Sequence, residues 1–118
     1  MTTPNTVSSI ISSEQINGTH VYNPSGEKLG TVESLKIDRL SGQVRYAVME
    51  FGGFLGIGTD RYPLPWSTLK YSPDLGGYVV SLSRDQLEKA PRYDQGAAPS
   101  YNDEYGRRVN DYYGVPYM

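Results

Sequence analysis

Short β-prone runs alternate with turn-forming residues between Thr19 and Leu82. The first three runs are separated by turn residues at positions 23–26 and at Ser41-Gly42. Val, Ile, Tyr and Thr favour extended strands, whereas Asn, Pro and Gly favour tight turns. The pattern predicts a β meander, and 13 Gly and 8 Pro in 118 residues fit a mainly β domain better than a helical bundle.

The second run carries an irregularity in its apolar pattern. Leu35 and Ile37 share one parity, whereas Val32 has the other, so a regular strand would turn one of them away from the core. We therefore expect a β-bulge near Glu33 or Ser34.

The third and fourth runs predict different places in the sheet. The third is apolar on both faces, as a central strand would be. Its two faces carry Val44, Tyr46 and Val48, and Ala47, Met49 and Phe51. The fourth run, at residues 61–66, contains two prolines, which confine it to a sheet edge, a strand start or an irregular crossing.

The last part of the domain predicts a hairpin followed by a helix. The hairpin joins residues 69–71 to residues 78–82 through Pro, Asp and Gly turn residues. Ser83 and Gln86 form a capping box, which predicts one short helix that ends before Pro91.

The chain divides into three predicted regions. Residues 1–14 read as a flexible leader, residues 15–92 as the barrel domain and residues 93–118 as a tyrosine-rich extension. Composition alone favours a disordered extension. The alternative is a short helix from Asn102 or Asp103 to Gly114. Its apolar stripe would dock on the barrel or on a second subunit, and it consists of Tyr105, Val109, Tyr112 and Tyr113.

The glycine-rich segment after the third run is not a phosphate-binding loop. Its glycines do not match G-x-G-x-x-G, and the prolines that follow prevent the helix whose N-terminus would face a phosphate. The segment also contains Phe54, Leu55 and Ile57. These side chains either pack over the barrel end or form an exposed contact for a second copy or a partner, and the sequence leaves both open.

Composition excludes several kinds of chemistry. A net charge of -2 with scattered Lys and Arg argues against direct nucleic-acid binding. With no Cys and one histidine, His20, the sequence offers no convergent metal site, no cofactor motif and no catalytic residues. No apolar stretch is long enough to span a membrane, and the lack of cysteine is compatible with a reducing cytoplasm, where we expect the protein. Trp66 is expected to be a core anchor.

Taken together, these motifs resemble the PRC-barrel family, the small β-barrel of the photosynthetic reaction-centre H subunit and of the ribosome maturation factor RimM. The resemblance covers roughly residues 16–92. It rests on Gly26-x-x-x-Gly30, Ile37-Asp38, Gly42-x-Val44-x-Tyr46-Ala47-Val48, Gly52-Gly53-Phe54-Leu55-Gly56-Ile57-Gly58, Pro65-Trp66 and Leu69. It implies a compact barrel with a short helix after the last strand. It also implies binding and assembly roles, because the family has no common catalytic residues.

The function expected from these observations is a non-enzymatic adaptor that self-associates, as a homodimer, and binds a protein partner that the sequence does not identify. Its contact surface would be the residues Phe54, Leu55 and Ile57 or the tyrosine stripe. Two alternatives remain open. One is a ribosome-assembly accessory that binds a ribosomal protein. The other is a peripheral subunit of a membrane electron-transfer complex, with peripheral membrane association.

Overall fold

The computed structural model describes residues 10–51, 60–94 and 96–117. In these ranges the chain forms seven strands and three α-helices. The strands are β1 (His20–Tyr22), β2 (Lys28–Ile37), β3 (Val44–Phe51), β4 (Asp60–Pro65), β5 (Leu69–Ser72), β6 (Gly77–Val80) and β7 (Tyr93–Asp94). The helices are α1 (Ser13–Ile16), α2 (Arg84–Glu88) and α3 (Asp103–Tyr113).

All seven strands belong to one sheet, in the order β5-β6-β1-β2-β3-β4-β7. Strands β1 to β4 form an antiparallel meander, and the β5-β6 hairpin returns so that β6 lies parallel to β1. The prediction of a mainly β fold with a short helix after the β5-β6 hairpin and a second helix in the C-terminal extension is confirmed. The two-residue strand β7 follows α2 and was not predicted. So short a segment shows no alternation of apolar and polar residues that would indicate a strand.

The irregularity in β2 is a bulge at the predicted place. Val32 pairs with Met49 and Ser34 pairs with Val48, so the register shifts by one residue at Glu33. Because of this shift, Val32 and Leu35 both contact the same core despite their opposite parity. The prediction of a bulge near Glu33 or Ser34 is confirmed.

Strands β3 and β4 occupy the predicted positions. Residues 46–49 of β3 are all buried, as expected for a strand covered on both faces. Strand β4 pairs with β3 along its whole length, but within the described residues only its Asp60 and Arg61 also pair with β7. Pro63 and Pro65 therefore lie where β4 has β3 as its one neighbouring strand among those residues. The prolines thus occupy an edge, where their missing N–H groups break no sheet hydrogen bond.

One aliphatic core lies between the sheet and α2, and we call it the barrel core. Leu64, Met49 and Leu87 are completely buried in it. Its other buried members are Ile16, Val21, Leu29, Val32, Ala47, Tyr62, Tyr78, Val80 and Ala90. The predicted capping box orients α2, because Ser83 Oγ accepts from the Gln86 N–H and Gln86 Oε1 accepts from the Ser83 N–H. Leu87 is thereby held over the core.

The tyrosine-rich extension contains the predicted helix. The Asn102 side chain accepts a hydrogen bond from the Tyr105 N–H at 2.9 Å and caps the N-terminus of α3. Gly114 ends the helix with a left-handed backbone conformation, φ +68°, which favours glycine. Helix α3 packs against β4, alongside the edge that contains the prolines.

Candidate functional site

Helix α3 is held on the barrel by a second apolar cluster, separate from the barrel core. Val109 is completely buried there, and Tyr105 and Tyr46 are nearly so. We call this cluster the tyrosine seam, and its members are Tyr46, Tyr93, Tyr101, Tyr105, Val109 and Tyr113. Tyr105 and Val109 of the predicted stripe therefore face this chain's own sheet.

Hydrogen bonds tie the tyrosine seam together at its polar ends. The buried Tyr46 hydroxyl donates to Asn110 Oδ1 on α3 at 2.8 Å. The Asn110 side-chain amide in turn donates to the Pro116 carbonyl at 2.9 Å, which folds the residues after Gly114 back along the helix. The Tyr93 and Tyr101 hydroxyls lie 2.7 Å apart. Aromatic rings thus supply buried area, and their hydroxyl groups fix the helix orientation.

Two other tyrosine hydroxyls in the seam are buried without a hydrogen bond. Those of Tyr105 and Tyr113 have no hydrogen-bond partner among the described residues. Burial in apolar surroundings raises the pKa of Tyr105 to about 12 and also raises the pKa of Tyr113. These hydroxyls stay protonated over the whole physiological range, which makes them neutral packing groups.

The other two members of the predicted stripe link α3 to the rest of the fold. Tyr113 is half-buried and contacts both the barrel core and the tyrosine seam. Tyr112 is 40% exposed, and its hydroxyl donates to the Gln86 carbonyl of α2 at 2.5 Å. Tyr112 is therefore the member of the stripe with most surface toward solvent.

A cavity of about 280 Å³ opens where α3 meets the β2-β3 hairpin, and we call it the groove. Tyr46 and Tyr101 line it from the seam, and Lys36, Ile37 and Arg45 line it from the hairpin. Tyr117 provides a further wall because its ring packs against Gly106, where a Cβ atom would come within 2.4 Å of that ring. A glycine at this helical position is thus required for the close approach that shapes the groove.

Cations at the groove are placed against aromatic rings. The Lys36 ammonium lies 4.9 Å from the Tyr101 ring centre, and the Arg45 guanidinium lies 5.2 Å from that of Tyr117. Arg45 also pairs with Asp38 at 3.4 Å. Sequence reasoning missed these residues. The available signal was the predicted meander, because in the structure the β2-β3 pairing places Lys36 opposite Tyr46. That register also depends on an irregularity between Lys36 and Ile37, which was not predicted.

A family model described as the PRC-barrel domain matches residues 9–87, more than half of the chain. The chain belongs to the PRC-barrel family. This confirms the resemblance drawn from the sequence motifs. The groove of this PRC barrel lies partly beyond the matched residues, since α3 and Tyr117 contribute to it.

Two known proteins are similar to this PRC barrel. An uncharacterized protein from Deinococcus radiodurans is 28% identical over 86 residues, which cover 66% of this chain and 30% of that protein. The chain therefore spans about a third of that relative's length. A solved structure from Pseudomonas aeruginosa, described as the 16S ribosomal RNA processing protein RimM, has a TM-score of 0.43 and 21% identity. That likeness covers 70% of this chain and 50% of the RimM chain.

The remaining predicted site residues have different outcomes. Phe54, Leu55 and Ile57 lie outside the described residues, and their contact role stays a prediction. Trp66 is half-buried at the margin of the barrel core, with its ring centre 5.5 Å from that of Tyr78. Its role as a core anchor also stays a prediction.

Charged residues away from the groove form a structural ion pair. Arg61 is 4% exposed, and its Nε atom donates to Glu33 at 2.5 Å while its Nη2 atom lies 3.4 Å from Glu50. No sequence pattern predicts that these two glutamates lie together. The bulge at Glu33 and the β3-β4 pairing of Glu50 with Arg61 do so.

Two further kinds of site, a metal site and a membrane-spanning helix, concern residues 10–51, 60–94 and 96–117. Within these ranges no three His, Cys, Asp or Glu side chains converge as metal ligands would. His20 is exposed, and its Nδ1 atom lies 3.2 Å from the Tyr22 hydroxyl. None of the helices in these ranges has the length and apolar character needed to cross a membrane.

Proposed function

We propose that this PRC barrel is a non-catalytic protein-binding module that self-associates and assembles with a partner in the cytoplasm. The observation that carries the proposal is the position of exposed apolar side chains beside the groove. Leu40, at the tip of the β2-β3 turn, is 95% exposed, and Ile37, which lines the groove, is 52% exposed. Apolar side chains exposed next to a concave aromatic surface are typical of a protein contact.

The barrel (residues 15–92) and the extension (residues 93–118) act together in this proposal. The barrel supplies Ile37 and Leu40, and the extension supplies the groove walls formed by Tyr101 and Tyr117. Because the seam holds α3 in place, the binding surface exists before a partner arrives. Preorganisation of this kind reduces the ordering entropy lost on binding.

Self-association is proposed to use two further contacts. One is the segment with Phe54, Leu55 and Ile57, whose apolar residues fit a contact between copies. The other is Tyr112, the most exposed member of the tyrosine stripe. Tyr112 does not line the groove, so a contact between copies at Tyr112 would leave the groove open to a partner.

The experiment uses a matched pair of variants at two turns. Leu40→Asp changes the turn beside the groove, and Leu75→Asp makes the same change in the β5-β6 turn, where Leu75 is 40% exposed. Crosslinked affinity capture from native lysate, read by mass spectrometry, compares both with the unchanged chain. Light scattering measures the mass of each variant in solution. The double variant Phe54→Asp, Leu55→Asp tests the self-association contact proposed for the segment with Phe54, Leu55 and Ile57.

We expect Leu40→Asp to lose a captured partner that Leu75→Asp retains, and the Phe54→Asp, Leu55→Asp variant to lose the dimer. A ribosomal protein or a membrane-complex subunit among the lost partners would direct the function to one of the two alternatives. Equal capture by all variants, together with a monomeric mass for the unchanged chain, would rule out the proposal.

A further inference from the structure

We infer that the groove binds an acidic peptide segment of a partner protein, with a carboxylate between Lys36 and Arg45 and an apolar side chain on Leu40. This inference rests on the protein-binding function proposed above and specifies the chemistry of the partner. It starts from Lys36, a cation in the groove lining that pairs with no carboxylate of the described residues.

Lys36 provides the first part of the argument. Its ammonium is held against the Tyr101 ring at 4.9 Å, and within the described residues no carboxylate pairs with it. A half-buried lysine held by a ring has already lost some of its hydration and some side-chain freedom. An anion that binds beside it therefore gains more than it would from a fully solvated lysine.

The two acids that line the groove are engaged by donors of this chain. Asp38 Oδ1 accepts from the Leu40 and Ser41 N–H groups at 2.8 and 3.2 Å, and Asp38 Oδ2 faces Arg45. Asp103 Oδ1 accepts the Tyr117 hydroxyl at 2.7 Å. Neither carboxylate pairs with Lys36.

Two further arginines lie near the groove. Arg107 lies over the Tyr117 ring at 5.4 Å, and Arg39 is exposed in the β2-β3 turn. The groove lining itself contains two cations and two acids, Lys36, Arg45, Asp38 and Asp103. Because both acids accept hydrogen bonds from this chain and neither pairs with Lys36, the Lys36 ammonium complements a carboxylate of an acidic segment.

The size of the site favours a peptide over a small metabolite. A cavity of about 280 Å³ accommodates one or two side chains and lies at the lower limit of small-molecule sites. A ligand confined to that cavity would leave Leu40 in water, since Leu40 is not among the lining residues. A peptide that continues past Ile37 covers both the charged cavity and the apolar turn.

The test is an NMR titration of the ¹⁵N-labelled full chain with a peptide of alternating aspartate and leucine residues. A second peptide replaces each aspartate with asparagine. Lys36→Glu is compared with Lys70→Glu, the same charge change on the edge strand β5, three strands away from β2. Lys36→Gln provides a milder variant, and the amide spectrum of each variant reports whether it is folded.

We expect the acidic peptide to shift the amides of Lys36, Arg45 and Tyr117, with Lys36→Glu weakening the affinity about tenfold and Lys70→Glu leaving it unchanged. The asparagine peptide should bind more weakly to the unchanged chain. Equal losses in Lys36→Glu and Lys70→Glu, equal binding of both peptides, or no saturation at about 5 mM peptide would each overturn the inference.

Dilution of the unchanged chain without peptide tests a different occupant. If dilution alone moves the groove amides, a second copy occupies the groove and the inference is wrong. If the acidic peptide does not bind while Leu40→Asp still abolishes partner capture, the proposed protein-binding function stands. Only the inference that the partner segment is acidic is then wrong.

Discussion

The barrel core and the tyrosine seam are built by different means. The barrel core is mainly aliphatic, with Leu64, Met49 and Leu87 completely buried between the sheet and α2. The seam consists of tyrosines and one valine. Its Tyr46 hydroxyl bonds to Asn110 of α3, and its Tyr93 and Tyr101 hydroxyls bond to each other. Aliphatic packing specifies close contact without direction, whereas the tyrosines also orient α3 on the outer face.

This difference bears on the groove, which lies at the seam. The groove opens between Tyr101 of the seam and Tyr117, which follows α3. The same rings hold the cations Lys36 and Arg45 at that opening. The barrel core is the larger apolar cluster, and the seam attaches α3 beside the groove that we propose as a recognition surface.

The largest effect is expected in the barrel core. Leu64→Ala removes a completely buried side chain and leaves a cavity, so we expect a loss of about 2–5 kcal/mol in the free energy of unfolding. Urea denaturation followed by tryptophan fluorescence gives this value. A loss below about 1 kcal/mol would mean that Leu64 is not in a closely packed core.

Val109→Ala makes the corresponding change in the seam. Val109 is also completely buried, but it loses fewer atoms, so we expect a loss of about 1–3 kcal/mol. The same denaturation experiment applies, with Arg108→Ala as an exposed control on the same helix. If Val109→Ala and Arg108→Ala had the same small effect, α3 would not be docked in solution.

A matched pair of hydroxyl deletions separates the two kinds of tyrosine. Tyr46→Phe leaves Asn110 Oδ1 without its buried donor, so we expect a loss of about 1–2 kcal/mol. Tyr105→Phe removes a hydroxyl that has no partner among the described residues, so stability at pH 7 should stay the same or rise. Equal losses for both variants would contradict the seam's hydrogen-bond pattern.

The smallest effect is a pH dependence in the alkaline range. The pKa of Tyr105 is raised from 10.0 to about 12 in the folded chain, so folding is favoured below pH 10. That contribution is lost as the pH rises from 10 through about 12, because the unfolded chain releases the proton first. Tyr105→Phe should reduce the slope of stability against pH in this window, measured by chemical denaturation. An unchanged slope would mean that Tyr105 titrates normally.

Much of the sheet could be predicted because its signals are local. The turns, the bulge at Glu33, the edge position of Pro63 and Pro65 and the caps of α2 and α3 each depend on a few neighbouring residues. Such signals reach no further than one turn or one strand pair. They therefore describe each element well and leave its position relative to distant elements open.

The groove could not be predicted because it joins residues far apart in sequence. Tyr46 meets Asn110 across 64 positions, and Tyr117 meets the helix only because the chain reverses at Gly114. The sequence also left open whether the stripe of Tyr105 and Val109 faced the barrel or a second copy. The apolar residues on both faces of β3 predicted that each face is covered, but no local pattern shows whether this chain's own helix or a second copy covers the outer one.

Amide hydrogen exchange of the full chain tests most directly whether α3 belongs to the fold. An isolated helix of 11 residues is marginal in water, so protection of α3 must come from docking. We predict that the amides of residues 106–110 exchange nearly as slowly as those of β3, within about 2 kcal/mol of opening free energy. If these amides exchange at the rate of a free peptide while β3 stays protected, the seam does not hold the helix. The groove then lacks the wall that α3 and Tyr117 form.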